Sequence, residues 1–503
     1  MALARTWSVA LSGVDGVPVE IEADIGNGLP KVRLVGLPDP SLTEAKERLR
    51  AAVRNSGESW PSQHVTLGLS PAALPKNGSG YDLALACAVL AAAGSVPQGA
   101  WEFTVLVGEL ALDGRVRPVR GVLPGLLAAR RHGLRRAVVP VSTLPEAALV
   151  DDVEVLGACT LADVLASARG EQGRLVPPEE PPQAAPPARP DLADVVGQPE
   201  ARWALEVAAA GGHHLLLLGP PGTGKTMLAH RLAGLLPDLT RSEALEVTAI
   251  HSVAGQLDSS APLVTTAPFI APHHSTSVAA LVGGGGGLAK PGAVSRAHRG
   301  VLFLDEACEF GARRLEALRT ALEEGEVRLA RRDGVVHYPA RCQLVLAANP
   351  CPCAPARDSD CVCPPNVRRR YLSRLSGPLL DRVDLRVHMR PLVAMSAVGV
   401  ESENTTVVRE RVCRAREAAA ARWGEHGWRT NAEAPGPALR RRFALPRKVT
   451  SVLDRGLNLG TITGRGADRS LRVAWTLADL AGADRPDADH VAAALEFRER
   501  RVA

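Results

Sequence analysis

Gly219-Pro220-Pro221-Gly222-Thr223-Gly224-Lys225-Thr226 is the stretch around which the chain is organised. Leu215, Leu216, Leu217 and Leu218 precede it, and residues 227–233 follow it with apolar side chains at helical spacing. Strand, glycine-rich loop and helix in that order form the context of a phosphate-binding P-loop. Gly222 and Gly224 let backbone N–H groups turn inward around phosphate oxygens. The helix N-terminus adds partial positive charge there. Lys225 is placed to reach the β- and γ-phosphates, and the Thr226 hydroxyl to ligate Mg²⁺. ATP and Mg²⁺ are therefore the expected ligands.

A chain of 503 residues has room for about three domains. Apolar residues make up 46% and charged residues 22%, which suits sizeable cores. Aromatic content is 3%, so those cores must be built from Leu, Val and Ala. A net charge of +5 permits nucleic-acid contact without demanding it. No apolar run approaches the ~20 residues of a membrane span. The opening residues read as a first strand rather than a signal peptide. Nine cysteines, four of them between 351 and 363, point to a reducing cytoplasm and a metal rather than a disulfide framework.

Downstream, Val301-Leu302-Phe303-Leu304 is an apolar run that suits a buried parallel strand. It ends in Asp305-Glu306, a Walker B pair: Asp305 for Mg²⁺, Glu306 to polarise the attacking water. An ordinary solvated acidic pair at a strand end is the alternative. A second apolar strand, 344–348, ends in Asn349, whose amide both donates and accepts. The order of these motifs, together with the opening Asp191, Asp194, Val195, Gly197 and Gln198, resembles AAA+ modules. The resemblance implies that Asn349 is sensor 1, that Arg382 is an arginine finger with Arg374 as runner-up, and that Arg465 is sensor 2 with Arg469 second. A finger serves the γ-phosphate of a neighbouring subunit, so a ring is expected. A surface salt bridge is the plainer reading of either finger candidate. His213 and His214 point to opposite faces of a strand and read as packing and hydrogen-bonding groups.

Residues 1–168 alternate strand-like and helix-like segments without a P-loop. Positions 17–25 have period two, 65–69 and 103–108 read as strands, and 41–53 read as a helix opened by a Ser41–Glu44 capping box. Residues 74–82 and 108–121 resemble the proteolytic domain of Lon, which implies a ribosomal-S5-like α+β fold. Lon uses a Ser–Lys dyad. The serine position falls on Gly80 and the lysine position on Leu123, so the domain is expected to be structural or partner-binding; Ser79 next door is the alternative nucleophile. Residues 169–190 are dense in proline and charge and read as an extended linker. The expected organisation is thus multidomain α/β: a Lon-like domain at 1–168, a linker at 169–190, a P-loop parallel-sheet core at 191–394, and a helical lid at 395–503.

Residues 271–285, 291–300, 349–353 and 370–382 sit in this order and resemble the YifB/ComM family of magnesium-chelatase-like proteins. Ile270 and Ala354 depart from the family pattern. The resemblance implies a hexameric motor on branched or single-stranded DNA, with a chaperone-like remodeller as the second reading. A magnesium chelatase motor is the third; it is disfavoured because that subunit lacks such an N-terminal domain. Cys351, Cys353, Cys361 and Cys363 form two C-x-C pairs that suit tetrahedral Zn²⁺; a reduced solvent-facing loop is the alternative. Cys87, Cys159, Cys308, Cys342 and Cys413 read as packing residues. Residues 326–338 read as a hairpin around Asp333-Gly334 whose Arg331, Arg332 and His337 would track a phosphate backbone in a pore, or simply be solvated. Arg440, Arg441, Arg442, Arg447 and Lys448 form a second basic cluster with the same two readings.

Overall fold

The computed structural model describes every residue except 1, 37–39, 77, 98, 180–188, 286–288, 332–333, 357–359, 376, 392–401 and 500–503. The architecture is multidomain α/β. The P-loop strand Leu215–Leu218 sits inside a five-stranded parallel sheet. Its neighbours are Gln343–Ala348, the strand that leads to Asn349, on one side and Leu385–His388 on the other. Val301–Leu304, which leads to Asp305 and Glu306, and then Phe269–Ile270 complete the sheet beyond Gln343–Ala348. Four consecutive leucines suit the P-loop strand because both its faces are covered. Leu215 and Leu217 enter the core shared with the C-terminal helices, while Leu216 and Leu218 enter the core on the other face. Phe303 and Leu302 divide between the same two cores.

The lid is helical. Thr405–Trp423 and Gly464–Leu480 pack on Pro199–Gly211 of the nucleotide-binding core. A buried polar network fixes the seam. His213 bonds the Thr476 hydroxyl at 2.7 Å, and Asn431 donates to Thr476 and to Asp479. His213 is thus a hydrogen-bonding group, though both histidines precede the strand Leu215–Leu218 rather than lying on it.

The first 158 residues contain a mixed seven-stranded sheet built around the long antiparallel pair Ala2–Ser12 and Asp15–Gly26. The helix Asp82–Ala92 is buried along its whole length. The helix expected at 41–53 spans Pro40–Asn55. The strand expected at 103–108 is shorter, Thr104–Leu106. Part of the linker is tied to the domain rather than free: Val176 exchanges both backbone hydrogen bonds with Gly157 on the sheet edge. Residues 180–188 lie outside the described part. Cys87 and Cys308 are buried as packing residues, but Cys159 is exposed.

This sheet domain is seated on the nucleotide-binding core. Ala249 of helix Arg241–Ala254 joins the apolar cluster of the N-terminal sheet. Arg241 donates to the Leu149 carbonyl at 2.8 Å, and Ser252 donates to Glu146. Burial raises the Glu146 carboxyl above its ordinary value, and the Ser252 hydroxyl opposes the rise.

Candidate active site

The C-terminal ends of three adjacent parallel strands converge, and they carry the P-loop, Walker B and sensor 1 residues. Gly222 and Gly224 have φ of +76° and +88°, which L side chains rarely adopt. Gly219, Pro220, Pro221 and Thr223 complete the loop, with the Thr223 hydroxyl donating to the Pro220 carbonyl at 2.9 Å. Gln198 ties the loop to the domain's opening segment by donating to the Thr223 and Arg390 carbonyls.

Lys225 is buried and donates to the Gly219 and Pro220 carbonyls at 2.6 and 2.8 Å and to Asn349 Oδ1 at 3.0 Å. Burial lowers its pKa, while Asp305 and Glu306 oppose that shift. Thr226 Oγ1 donates to Asp305 Oδ2 at 2.7 Å. A hydroxyl beside a carboxylate, one residue past the P-loop lysine, is the oxygen donor set that Mg²⁺ takes together with phosphate and water. These residues fit the ion.

Glu306 is exposed with φ of +50°, an uncommon conformation for a residue with a side chain. Such outliers persist where the surroundings over-determine them. The Asp305 carboxylate accepts from the Glu306 N–H at 2.9 Å and helps to hold it. His274 Nδ1 lies 3.2 Å from Glu306 Oε2, and the His274 carbonyl accepts from Arg314. Sequence reading missed this contact. Nothing in the spacing of residues 271–277 says which strand end they fold over.

Arg382, Arg465 and Arg469 lie away from the P-loop of their own chain, where a finger serving a neighbouring subunit is expected to lie. The backbone N–H groups of Asp384 and Leu385 donate to the His214 carbonyl at the start of the P-loop strand, and Arg469 bonds Asp384 at 2.7 Å. Arg382 and Arg465 line the same cavity of about 1020 Å³ as Arg469 and Asp384. This is the opposite end of the sheet from the P-loop. A four-residue strand puts about 13 Å between those ends. Arg382 is buried, donating to Glu323 at 2.5 Å and to the Pro378 carbonyl at 2.6 Å. Its hydrogen bond, helped by its charge, holds Glu323 below the ordinary carboxylate value. Arg465 is exposed on the cavity rim. Arg374 is half exposed and pairs with Glu309 at 3.3 Å. Burial pushes the Asp384 carboxyl upward, but Arg469 and His213 outweigh it and hold the pKa well below the usual range.

Burial also holds the half-buried His214 imidazole at about 4, with Asp384 opposing. Its Nδ1 accepts from the Leu344 N–H at 3.0 Å, which requires an unprotonated nitrogen. The folded value lies below that of an unfolded histidine, so the unfolded chain takes up the proton first as pH falls. The stability that His214 contributes is complete above about pH 6.5 and is lost as pH falls toward 4. Unfolding experiments should show wild type losing about 2 kcal/mol more than His214→Asn between pH 7 and pH 5.

The remaining sequence candidates divide. Cys351, Cys353, Cys361 and Cys363 place their sulfurs within 4.8 Å of one another, a group able to hold a metal ion. The hairpin forms from Glu326–Arg331 and Gly334–Pro339, though Arg332 and Asp333 lie outside the described residues. It does not stand free along its length. The turn at Gly13 of the N-terminal sheet abuts the His337 backbone, and Leu11 and Val14 pack on the same core as Val336. His337 faces Glu326 at 3.7 Å. Arg440, Arg441, Arg442, Arg447 and Lys448 are all exposed, with Arg440 paired to Asp468. In the Lon-like region Ser79 donates to Glu109, Leu123 is buried, and the buried Lys76 donates to the Pro71 carbonyl. No Ser–Lys dyad is assembled among the described residues.

Comparison with known proteins matches the description "Magnesium chelatase, subunit ChlI" at residues 191–397. Residues 21–143 match "Subunit ChlI of Mg-chelatase", and 402–498 match "Magnesium chelatase, subunit ChlI C-terminal". Since the first of these two shorter matches also carries the chelatase description, the N-terminal domain does not by itself argue against a chelatase role. An uncharacterized protein of Mycobacterium tuberculosis is 61% identical over 502 residues, 99% of each chain. Escherichia coli YifB is 40% identical over 500 residues, 99% of this chain and 97% of that one. The Haemophilus influenzae competence protein ComM is 40% identical over 504 residues, 99% and 98% of the two chains. Residues of the N-terminal region share a weaker likeness, 30% over 169 residues, with the peroxisomal Lon protease homolog 2 of Caenorhabditis elegans, covering 32% of this chain and 22% of that one. Full-length likeness of this kind, on a parallel P-loop sheet with a helical lid, makes the chain a member of the YifB/ComM family of magnesium-chelatase-like AAA+ proteins.

Proposed function

We propose that this chain is the subunit of a hexameric, ATP-hydrolysing motor that acts on DNA in the cytoplasm. One observation carries the ring: phosphate-holding residues lie at one end of the parallel sheet, and Arg382, Arg465 and Arg469 lie at the other. A head-to-tail ring apposes the two ends of successive subunits. Lys225 and the P-loop amides then hold the phosphates, Glu306 orients and polarises the water, and Asn349 positions it. Arg465 and Arg382 of the adjoining subunit neutralise charge developing on the γ-phosphate. Mg²⁺ bound at Thr226 and Asp305 neutralises charge across the phosphates. The cysteine cluster is structural in this reading, because four protein thiolates around Zn²⁺ leave no open coordination position.

DNA as the substrate draws support from the competence protein among the full-length relatives and from the exposed arginines of 440–442 and 447. Branched or single-stranded DNA is expected to raise ATP turnover several-fold, with the effect lost steeply as salt rises. Turnover indifferent to every DNA structure tested would remove DNA from the account. A second reading, remodelling of protein complexes, draws on an apolar groove of about 1080 Å³ on the N-terminal sheet, lined by Trp7, Pro71, Trp101 and Phe103. A pull-down in which full-length protein retains partners that a Phe103→Asp variant loses would favour it.

A further inference from the structure

We infer that Cys351, Cys353, Cys361 and Cys363 bind one Zn²⁺ as a strut that fixes sensor 1 residue Asn349 relative to the helix leading to Arg374. The functional half of this inference rests on the ATP-hydrolysing reading; the metal half does not.

Neighbouring sulfurs lie 3.3 Å apart for Cys351 and Cys353, 3.5 Å for Cys351 and Cys361, and 3.7 Å for Cys353 and Cys361. A disulfide needs about 2.05 Å, and all nine cysteines are free thiols. A tetrahedron with Zn–S bonds of about 2.3 Å has edges of about 3.8 Å. The observed spacing is therefore close to that of a tetrathiolate site and far from that of a bond. Packing does not explain the group. Cys351 is buried, but Cys353 is exposed and Cys361 and Cys363 are half exposed, so three of the four thiols gain little from burial. Four sulfur ligands select Zn²⁺ over the harder divalent cations.

The placement gives the metal work to do. Asn349 ends the sensor strand, and Cys351 follows two residues later. Cys363 lies two residues before helix Pro365–Leu372, and Arg374 follows that helix. Among the described residues between the two pairs there is no α-helix or strand, and Val362 is exposed at 87%, so little apolar packing anchors them. Irregular segments short of apolar core are commonly stapled by a metal or a disulfide. A metal bridging the two C-x-C pairs closes this loop at both ends. It thereby fixes the Asn349 amide against Lys225, 3.0 Å away, and sets the register of Arg374.

Full-length protein purified under reducing conditions should carry one zinc per chain by elemental analysis. A thiol-reactive mercurial should release it, and Co²⁺ exchange should give the visible ligand-field bands of a tetrahedral tetrathiolate. Cys361→Ser should lose the metal and lower kcat about 10-fold, while the Kd for a fluorescent ATP analogue stays within about 3-fold. Cys363→His keeps a tetrahedral ligand set and should retain both zinc and kcat. This second variant keeps the test decisive if Cys361→Ser fails to fold. A chain without zinc or the cobalt spectrum overturns the site. Stoichiometric zinc whose loss leaves kcat untouched overturns the strut. Zinc in a wild-type chain that hydrolyses no ATP leaves the metal site standing and removes the motor reading instead.

Discussion

Glu306→Gln is expected to bind ATP as tightly as wild type and to hydrolyse it at least 100-fold more slowly, a loss of about 3 kcal/mol in the transition state. The substitution keeps size and hydrogen-bonding reach but removes the carboxylate that polarises water. Binding survives because the phosphates are held by Lys225 and the loop amides, which the change does not touch. The strained φ of +50° at Glu306 is retained, since it is set by the chain and by the Asp305 carboxylate. Single-turnover hydrolysis and equilibrium nucleotide binding, measured side by side, check it. Near-normal turnover would remove Glu306 from the chemistry and leave His274, its neighbour at 3.2 Å, without a role there.

Arg465→Ala is expected to lower kcat by about 100-fold or more with ATP binding little changed. Arg465 is the cleaner probe than Arg382. It is exposed on the cavity rim, so truncation leaves no buried group unpaired. Arg382 is buried and paired to Glu323; removing it also deletes a packed ion pair and confounds catalysis with folding. Steady-state kinetics alongside thermal unfolding separates the two effects. Unchanged kcat for Arg465→Ala would shift the role to Arg469, which lines the same cavity and bonds Asp384.

The parallel-sheet core and its candidate site were legible in the sequence because the motifs are local. A P-loop, an apolar strand ending in Asp305-Glu306, and another ending in Asn349 each declare themselves within about ten residues. The parallel sheet then brings Lys225 to Asn349 and Thr226 to Asp305. The linear pattern does not show contacts that depend on how distant segments dock. That His274 lies over Glu306, that Asp384 joins Arg469 to the start of the P-loop strand, and that Gly13 abuts the hairpin all follow from tertiary packing. Arg382 shows the limit from the other side: order along the chain marks it as an arginine finger, yet its burial beside Glu323 depends on the fold of residues 312–324. Cys159 marks a smaller departure: an isolated cysteine expected to pack faces solvent.

Mixing two inactive variants tests most directly whether one subunit completes another's site. Lys225→Ala has no working P-loop but keeps the arginine edge; Arg465→Ala keeps its P-loop but lacks that edge. Combined in equal amounts and allowed to exchange subunits, they should regain a substantial fraction of wild-type hydrolysis, because some P-loops with Lys225 then face intact Arg465. A mixture as inactive as its two components, under conditions where subunit exchange is demonstrated, would contradict the shared site.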